Sequence, residues 1–262
     1  MKATTKSIRQ AKGVHQLACL TAYDTVTARI ADEGGADLIL VGDSMGNTVL
    51  GFENSVPVTL DMVVHHTAAV ARARVNALVV ADVPFGIAHD DFPYVLRACM
   101  RLMQVGAEAV KIEGGVGVAP LVARLVAAGI PVCGHVGLQP QQVFQLGGYK
   151  KFGGQELEAD AVLGDACAVG QAGAFAVVGE MLTPALSGKL RRALPVPLIG
   201  IGSGEDCDGQ ILVIHDLLGL TEKPPGFVRP FANLGSTARE AVSAWAMRVR
   251  CPSANLGSPK AE

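Results

Sequence analysis

The feature that most constrains this chain is a repeated switch between two apolar periodicities. Short Val-, Ile- and Leu-rich runs alternate with longer stretches of helix-compatible composition along most of the sequence. The runs fall at residues 17–21, 37–41, 77–81, 109–112, 132–134, 174–178 and 198–200, with a Pro-flanked eighth expected at 227–231. Between them TVTARIADEG, TLDMVVHHTAAVARAR, FPYVLRACMRLMQVG, VAPLVARLVAAG and ADAVLGDACAVGQAG read as helices. Three of these reach Gly106, Gly129 or Gly173 just before the next strand, as a left-handed helix C-cap requires. Strand–helix alternation implies a parallel sheet. Eight such units in 262 residues predict a single eightfold β/α (TIM-type) barrel, an open doubly wound sheet being the runner-up. The expected organisation is an N-terminal segment at 1–16, a barrel at 17–250, and a frayed, Pro- and Gly-containing tail at 251–262.

Composition narrows the function classes. Half the residues are hydrophobic and 18% are charged, which suits a sheet buried on both faces and equally suits a large subunit interface. A formal net charge of −2 without a basic stripe argues against a nucleic-acid partner. No apolar run reaches the roughly 18 residues of a membrane span, and MKATTKSIRQAKG lacks the apolar centre of a secretory signal. The six cysteines are dispersed with no C-x-x-C pair, as in a reducing compartment, so the expected location is cytoplasmic.

Ionisable residues recur at one topological point. Asp43 follows LILVG, Asp82 follows ALVVA, Glu113 follows AVKI, His135 follows VCG and Glu180 follows AFAVVG. Taken singly, such a position reads as a helix N-cap. Caps favour Asp, Ser, Thr and Asn, however, and do not explain Lys111, Glu113, His135 and Glu180 together. In a barrel the carboxyl ends of the strands converge on one face, where active sites are built. Asp43, Asp82 and Glu113 offer hard oxygen donors of the kind Mg²⁺ prefers, and no Cys joins them to favour zinc. Lys111 and Glu113 alternate on one strand and so share a face. Glu180 is left over as a candidate general base.

Other motifs carry less. GIGSG at 200–204 lacks dinucleotide-loop spacing and leaves a tight turn and a backbone-amide anion nest both open. His65 and His66 read as structural, and His215 as a packed or capping residue. GGYK at 147–150 has the composition of a mobile lid.

These residues stand in an ordered set of longer motifs: LTAYD, ADEGGADLILVGDSMGNTVLG, PVTLDMVVHHTAAVAR, VKIEGG, PVCGHVGLQPQ, GGYK, PLIGIGSG and DGQILVIHD. From about residue 17 to 233 the chain resembles the 3-methyl-2-oxobutanoate (ketopantoate) hydroxymethyltransferases. The resemblance implies a TIM-type barrel of the pyruvate-binding superfamily, assembled into a large homo-oligomer, often a decamer. It implies transfer of a hydroxymethyl group from 5,10-methylenetetrahydrofolate to 3-methyl-2-oxobutanoate through a Mg²⁺-stabilised enolate, giving 2-dehydropantoate for pantothenate and coenzyme A synthesis. Carried over by position, the metal ligands fall on Asp43, Asp82 and Glu113, and the substrate contacts on Asp43, Ser44, Asp82 and Lys111. The base falls on Glu180, and the motif histidine, also expected to bind substrate, on His135.

Three departures accompany the match. Gly179 stands where the family has a bulky apolar residue, which predicts backbone freedom beside Glu180. MLTPALSG and KFGGQ also differ from the family pattern. Two rivals remain: a Mg²⁺ carbon–carbon lyase of the same superfamily, which would share the enolate chemistry without folate, although C-G-H at 133–135 stands at the strand-five position of the transferase motif and not in a lyase-type loop, and an inactive, assembly-only homologue, motivated by Gly179 and the altered lid.

Overall fold

The computed structural model describes residues 2–251. Eight parallel strands close into a barrel in sequence order: β1 (Leu17–Thr21), β2 (Leu38–Val41), β3 (Leu78–Asp82), β4 (Ala109–Glu113), β5 (Val132–Gly137), β6 (Ala176–Glu180), β7 (Leu198–Ile201) and β8 (Gly209–Leu212). The last strand pairs with the first, Leu17 facing Gly209 and Cys19 facing Ile211. The expected barrel is the observed one, and the open sheet is excluded by this closure.

Two details differ from expectation. Strands β3 to β6 run one to three residues further than their apolar runs, so Asp82, Glu113 and Glu180 are the final residues of their strands and His135 lies inside β5. The eighth strand is not at 227–231. That segment is irregular, since Pro225 and Pro230 bring no N–H to a ladder. Gly209–Leu212 takes the place instead, pairing with both β7 and β1. A Cβ at Gly209 would lie 2.6 Å from Leu17, so closure at this seam requires a residue without one.

The five helical stretches read from the pattern form helices, and Pro184–Ala193 adds another between β6 and β7. Asp24, Thr59, Asp91 and Thr183 cap the helices Thr25–Glu33, Leu60–Ala71, Phe92–Gln104 and Pro184–Ala193, each side chain accepting a first-turn N–H. Gly106, Gly129 and Gly173 all take positive φ, as the C-cap expectation demanded. Outside the sheet, Val162, Ala166 and Leu190 of helices Glu156–Gln171 and Pro184–Ala193 pack with Val136, Val177 and Leu198 of the strands.

The barrel interior is filled at its amino-terminal end. Leu17, Leu38, Leu78, Ala109, Ala176 and Ile211 form a cluster that Ile8 and Ala11 complete. The N-terminal segment, with its helix Thr5–Gln10, thus supplies part of the core. Lys12 Nζ fixes it by bonding Asp208 Oδ2 at 2.9 Å and the Arg191 carbonyl at 2.8 Å. With this end packed by apolar side chains, polar chemistry is left to the other.

The chain divides into two compact units, Met1–Ile214 and His215–Glu262. The second holds helix Leu234–Arg250, capped by Asn233. Residues 252–262, nearly all of the expected tail, lie outside the described residues. Among the described residues no helix is long and apolar enough to cross a membrane.

Candidate active site

Because β3, β4 and β6 each end on an acid, their carboxylates meet at the carboxyl end of the barrel. Asp43, two residues past β2, joins them: its backbone N–H donates to Asp82 Oδ2 at 2.9 Å. Lys111 and Glu113 share the inward face of β4, as their spacing predicts. Lys111 Nζ lies 2.8 Å from Asp82 Oδ1 and 3.8 Å from Glu113 Oε1. On β5, His135 Nδ1 sits 3.3 Å from Glu113 Oε1 and 3.2 Å from Lys111 Nζ, and its Nε2 lies 3.2 Å from Glu180 Oε2. All the predicted ionisable residues are therefore in one cluster. Ser44 stands beside it, with its hydroxyl 2.9 Å from the buried Tyr23 hydroxyl.

The electrostatics follow from burial. Four carboxyl groups, those of Asp43, Asp82, Glu113 and Glu180, face the Lys111 ammonium and the His135 imidazole. Burial, reinforced by Asp82 and Glu113, pushes the Asp43 carboxyl well above its usual range, against the pull of Lys111 and Gln141. Burial also raises Asp82, although Lys111 and the Asp43 N–H oppose it. Glu113 moves the other way: burial disfavours its charge, but His135, Lys111 and the Gln141 N–H outweigh that and hold it low. Burial would lower Lys111, yet the three surrounding carboxylates raise it above the usual lysine range. Burial and Lys111 likewise oppose protonation of His135, and Glu113 and Glu180 overcome both, lifting the imidazole to about 9. His135 Nδ1 is hydrogen-bonded to Lys111 Nζ at 3.2 Å and stands 3.3 Å from Glu113 Oε1, so the role of this nitrogen depends on the tautomer.

Asp43, Asp82 and Glu113 are the oxygen donors that could hold a divalent cation. The fit is one of donor type: three hard carboxylate oxygen donors brought to one end of the barrel, with burial and then the neighbouring Asp82 and Glu113 raising Asp43. Among the described residues no three His, Cys, Asp or Glu side chains form a ready-made ligand cluster. Lys111, paired to Asp82, supplies the nearest countercharge.

Gln141 escaped the reading of ionisable residues. Its side-chain amide donates to Asp43 Oδ2 at 2.8 Å and to the Val83 carbonyl at 3.1 Å, while its backbone N–H donates to Glu113 Oε2 at 3.1 Å. The loop after β5 is so tied to two acids of the cluster. The available signal was its place at the end of PVCGHVGLQPQ; a neutral amide draws no attention otherwise.

The Gly179 departure has a local structural answer. A Cβ at Gly179 would lie 2.8 Å from Leu182 Cδ1 and 3.0 Å from Leu198 Cδ1, so neighbours already fill the space. Lys150 in GGYK is bonded to Glu158 at 2.6 Å and lies over the Phe152 ring. Tyr149 is largely exposed. Partial burial and the charges of Glu180, Asp43 and Glu113 raise its hydroxyl above the usual value. His66 is structural, Nδ1 meeting the Tyr23 carbonyl at 2.7 Å. Cys133 is a buried strand residue whose thiol burial pushes up to about 12, which is unlike a reactive loop cysteine.

Comparison with known proteins bears on the fold and the family. Solved structures with the same fold include a phosphonopyruvate hydrolase complexed with oxalate and Mg²⁺ (TM-score 0.64, 16% identity, 98% of this chain and 92% of that one). A 2,3-dimethylmalate lyase of the PEP mutase/isocitrate lyase superfamily matches with a TM-score of 0.62 at 16% identity, over 100% of this chain and 93% of that one. At these identities the likeness is one of fold. Curated relatives are nearer in sequence. The 3-methyl-2-oxobutanoate hydroxymethyltransferase of Pyrobaculum calidifontis is 50% identical over 249 residues, 95% of this chain and 94% of that protein. The enzyme of the same name from Anaplasma marginale (strain St. Maries) is 50% identical over 244 residues, 93% of this chain and 88% of that protein. The ketopantoate hydroxymethyltransferase family model spans residues 2–253, and with these relatives it establishes that the chain is an enzyme of the ketopantoate hydroxymethyltransferase family.

Proposed function

We propose that this enzyme transfers the one-carbon unit of 5,10-methylenetetrahydrofolate to 3-methyl-2-oxobutanoate as a hydroxymethyl group, giving 2-dehydropantoate for pantothenate and coenzyme A synthesis. The observation that carries the reading is Glu180: its side chain is more accessible than those of Asp82 and Glu113, yet it stands against their buried cluster. A base is needed at such a place, beside groups able to hold a 2-oxo acid.

Mg²⁺, held by Asp43, Asp82 and Glu113, would supply a Lewis acid that polarises the keto group and offsets charge developing on its oxygen. The remaining work falls to side chains. Lys111 balances the negative charge of the bound 2-oxo acid and of the enolate that forms from it. Ser44, oriented by Tyr23, and His135 complete the substrate contacts. Glu180 takes the proton from the carbon beside the keto group, and the C–H electron pair becomes the enolate double bond. His135 flanks the base, its Nε2 standing 3.2 Å from Glu180 Oε2. Water adds to the methylene of the folate iminium and the C–N bond of the resulting carbinolamine breaks, releasing tetrahydrofolate and formaldehyde; the enolate carbon adds to the formaldehyde carbonyl, and the alkoxide so formed takes a proton to become the hydroxymethyl group. A cytoplasmic homo-oligomer belongs to the same reading.

The test is turnover with both substrates and Mg²⁺, together with solvent-deuterium exchange into the 2-oxo acid without folate. We expect turnover to require folate and exchange not to. Glu180→Gln should slow both by about 10²–10⁴-fold while leaving 2-oxo-acid affinity near wild type. Carbon–carbon cleavage without folate would point to the lyase, and no turnover with both substrates to the inactive homologue.

A further inference from the structure

Glu180 is followed by Met181, whose φ of 51° lies in the left-handed region that a side chain disfavours. Such a conformation persists only where its surroundings over-determine it. Here they do. The Glu180 carbonyl accepts from the Leu138 N–H at 3.0 Å, the Met181 N–H donates to the Ile201 carbonyl at 2.9 Å, and the Met181 carbonyl accepts from the Phe152 N–H at 2.7 Å. The remaining restraint comes from a side chain. Ser203 Oγ donates to the Gly179 carbonyl at 2.7 Å and accepts from the Leu182 N–H at 3.0 Å. Its alternative acceptor, the Ile201 carbonyl, is further away at 3.1 Å. One hydroxyl therefore bridges the peptide group before Glu180 and the residue two positions after it.

Ser203 is itself fixed. It is fully buried, and its carbonyl accepts from Ser187 Oγ at 2.8 Å, a second buried hydroxyl on helix Pro184–Ala193. Neither serine touches the carboxylate of Glu180. Their bonds go to the backbone on either side of it, in a segment where Gly179 contributes no side chain to packing.

We propose that Ser203 is a positioning residue for Glu180: it closes a bracket across the Glu180–Met181 turn, with Ser187 as its anchor, and so holds the carboxylate at the proton it must remove. The proposal rests on the reading of Glu180 as the base. Removing Oγ leaves the buried Leu182 N–H without this acceptor and lets the turn relax.

Four variants test it: Ser203→Ala, Ser187→Ala, Glu180→Gln and the double variant Ser203→Ala/Glu180→Gln. Each is assayed for folate-independent deuterium exchange, kcat and KM, with a thermal melt to establish folding. A misplacement of about 1 Å can cost on the order of 10²-fold, so a loosened carboxylate in Ser203→Ala should lose about tenfold in exchange and kcat. The KM for the 2-oxo acid should stay within about twofold of wild type, because the binding groups are untouched. In the Glu180→Gln background Ser203→Ala should produce no further loss, since its effect passes through that carboxylate. Wild-type exchange in Ser203→Ala overturns the proposal, as does an equal loss in both backgrounds, which marks a merely structural role. If Ser203→Ala does not fold, Ser187→Ala is read instead, with the same signature expected and wild-type exchange again refuting the bracket. Should Glu180→Gln itself exchange at the wild-type rate, the base assignment falls and the bracket with it. Loss in Glu180→Gln beside wild-type exchange in Ser203→Ala removes the bracket alone.

Discussion

Asp208 joins the N-terminal segment to the seam of the barrel, and replacing it by Asn should destabilise the fold measurably. Its side chain is 2% exposed and meets only donors: Lys12 Nζ at 2.9 Å, Arg191 Nε at 3.0 Å and the Leu198 N–H at 3.1 Å. An amide of the same shape can keep its oxygen toward Lys12 and Leu198. Its NH₂ then confronts the Arg191 donor, and the Lys12 bond loses its charge assistance. One charge-assisted hydrogen bond contributes roughly 1.5–3 kcal/mol. Lys12 and Arg191 remain 22% and 34% exposed and can recover water, which trims the loss to about 2 kcal/mol. For a chain of this size that corresponds to a fall in Tm of about 4–8 °C. Thermal unfolding of wild type and Asp208→Asn at several pH values is the assay. Burial alone would raise the Asp208 carboxyl, but the Leu198 N–H, Lys12 and Arg191 overcome it and hold the folded-state pKa below the ordinary value. The stabilisation is therefore complete above the unfolded pKa of about 3.9 and is lost as pH falls through the lower folded value. The difference between the proteins should be constant near neutrality and shrink below about pH 4. A loss under about 0.5 kcal/mol at pH 7, the scale of an ordinary surface substitution, or a gap that widens in acid would refute this account.

Three further outcomes follow from the site. Asp43→Ala and Asp82→Ala should remain folded but lose Mg²⁺-dependent binding of the 2-oxo acid in titration calorimetry; unchanged binding in both would remove them from the metal assignment. Lys111→Met takes the cation from beside Asp82 and Glu113, so both 2-oxo-acid affinity and kcat should fall, in contrast to Glu180→Gln, and a pure kcat defect would contradict its charge-balancing role. Gly137→Ala should cost at least about 1–3 kcal/mol and most of the activity, because φ is +87° there and the new Cβ would lie 2.4 Å from the Glu180 carbonyl; a wild-type melting curve would show that the β5–β6 seam yields more easily than its geometry implies.

Much of this protein is legible without coordinates. The strand–helix alternation is a local property, encoded in periodicity and in glycines such as Gly106, Gly129 and Gly173, and it implies the barrel. The recurrence of acids after apolar runs then places Asp43, Asp82, Glu113 and Glu180 at one end, because parallel strands in a barrel all point the same way. What escaped depends on partners distant in the chain. β8 is four residues long, and Gly209–Leu212 becomes a strand only because β1 and β7 flank it; the aromatic-rich 227–231 segment is the stronger lure until its prolines are asked for donors. Ile8 and Ala11 count as core only once the strand origins surround them. Gln141 and Ser203 carry no charge to mark them, and their importance lies in which carboxylate or peptide group the folded chain brings within hydrogen-bond reach. The pKa of His135 is likewise a tertiary property: the residue type sets an imidazole, and Glu113 and Glu180 raise it against the opposition of burial and Lys111. Periodicity can be read along a chain, whereas closure, burial and the balance of buried charges are sums over neighbours that only the fold assembles.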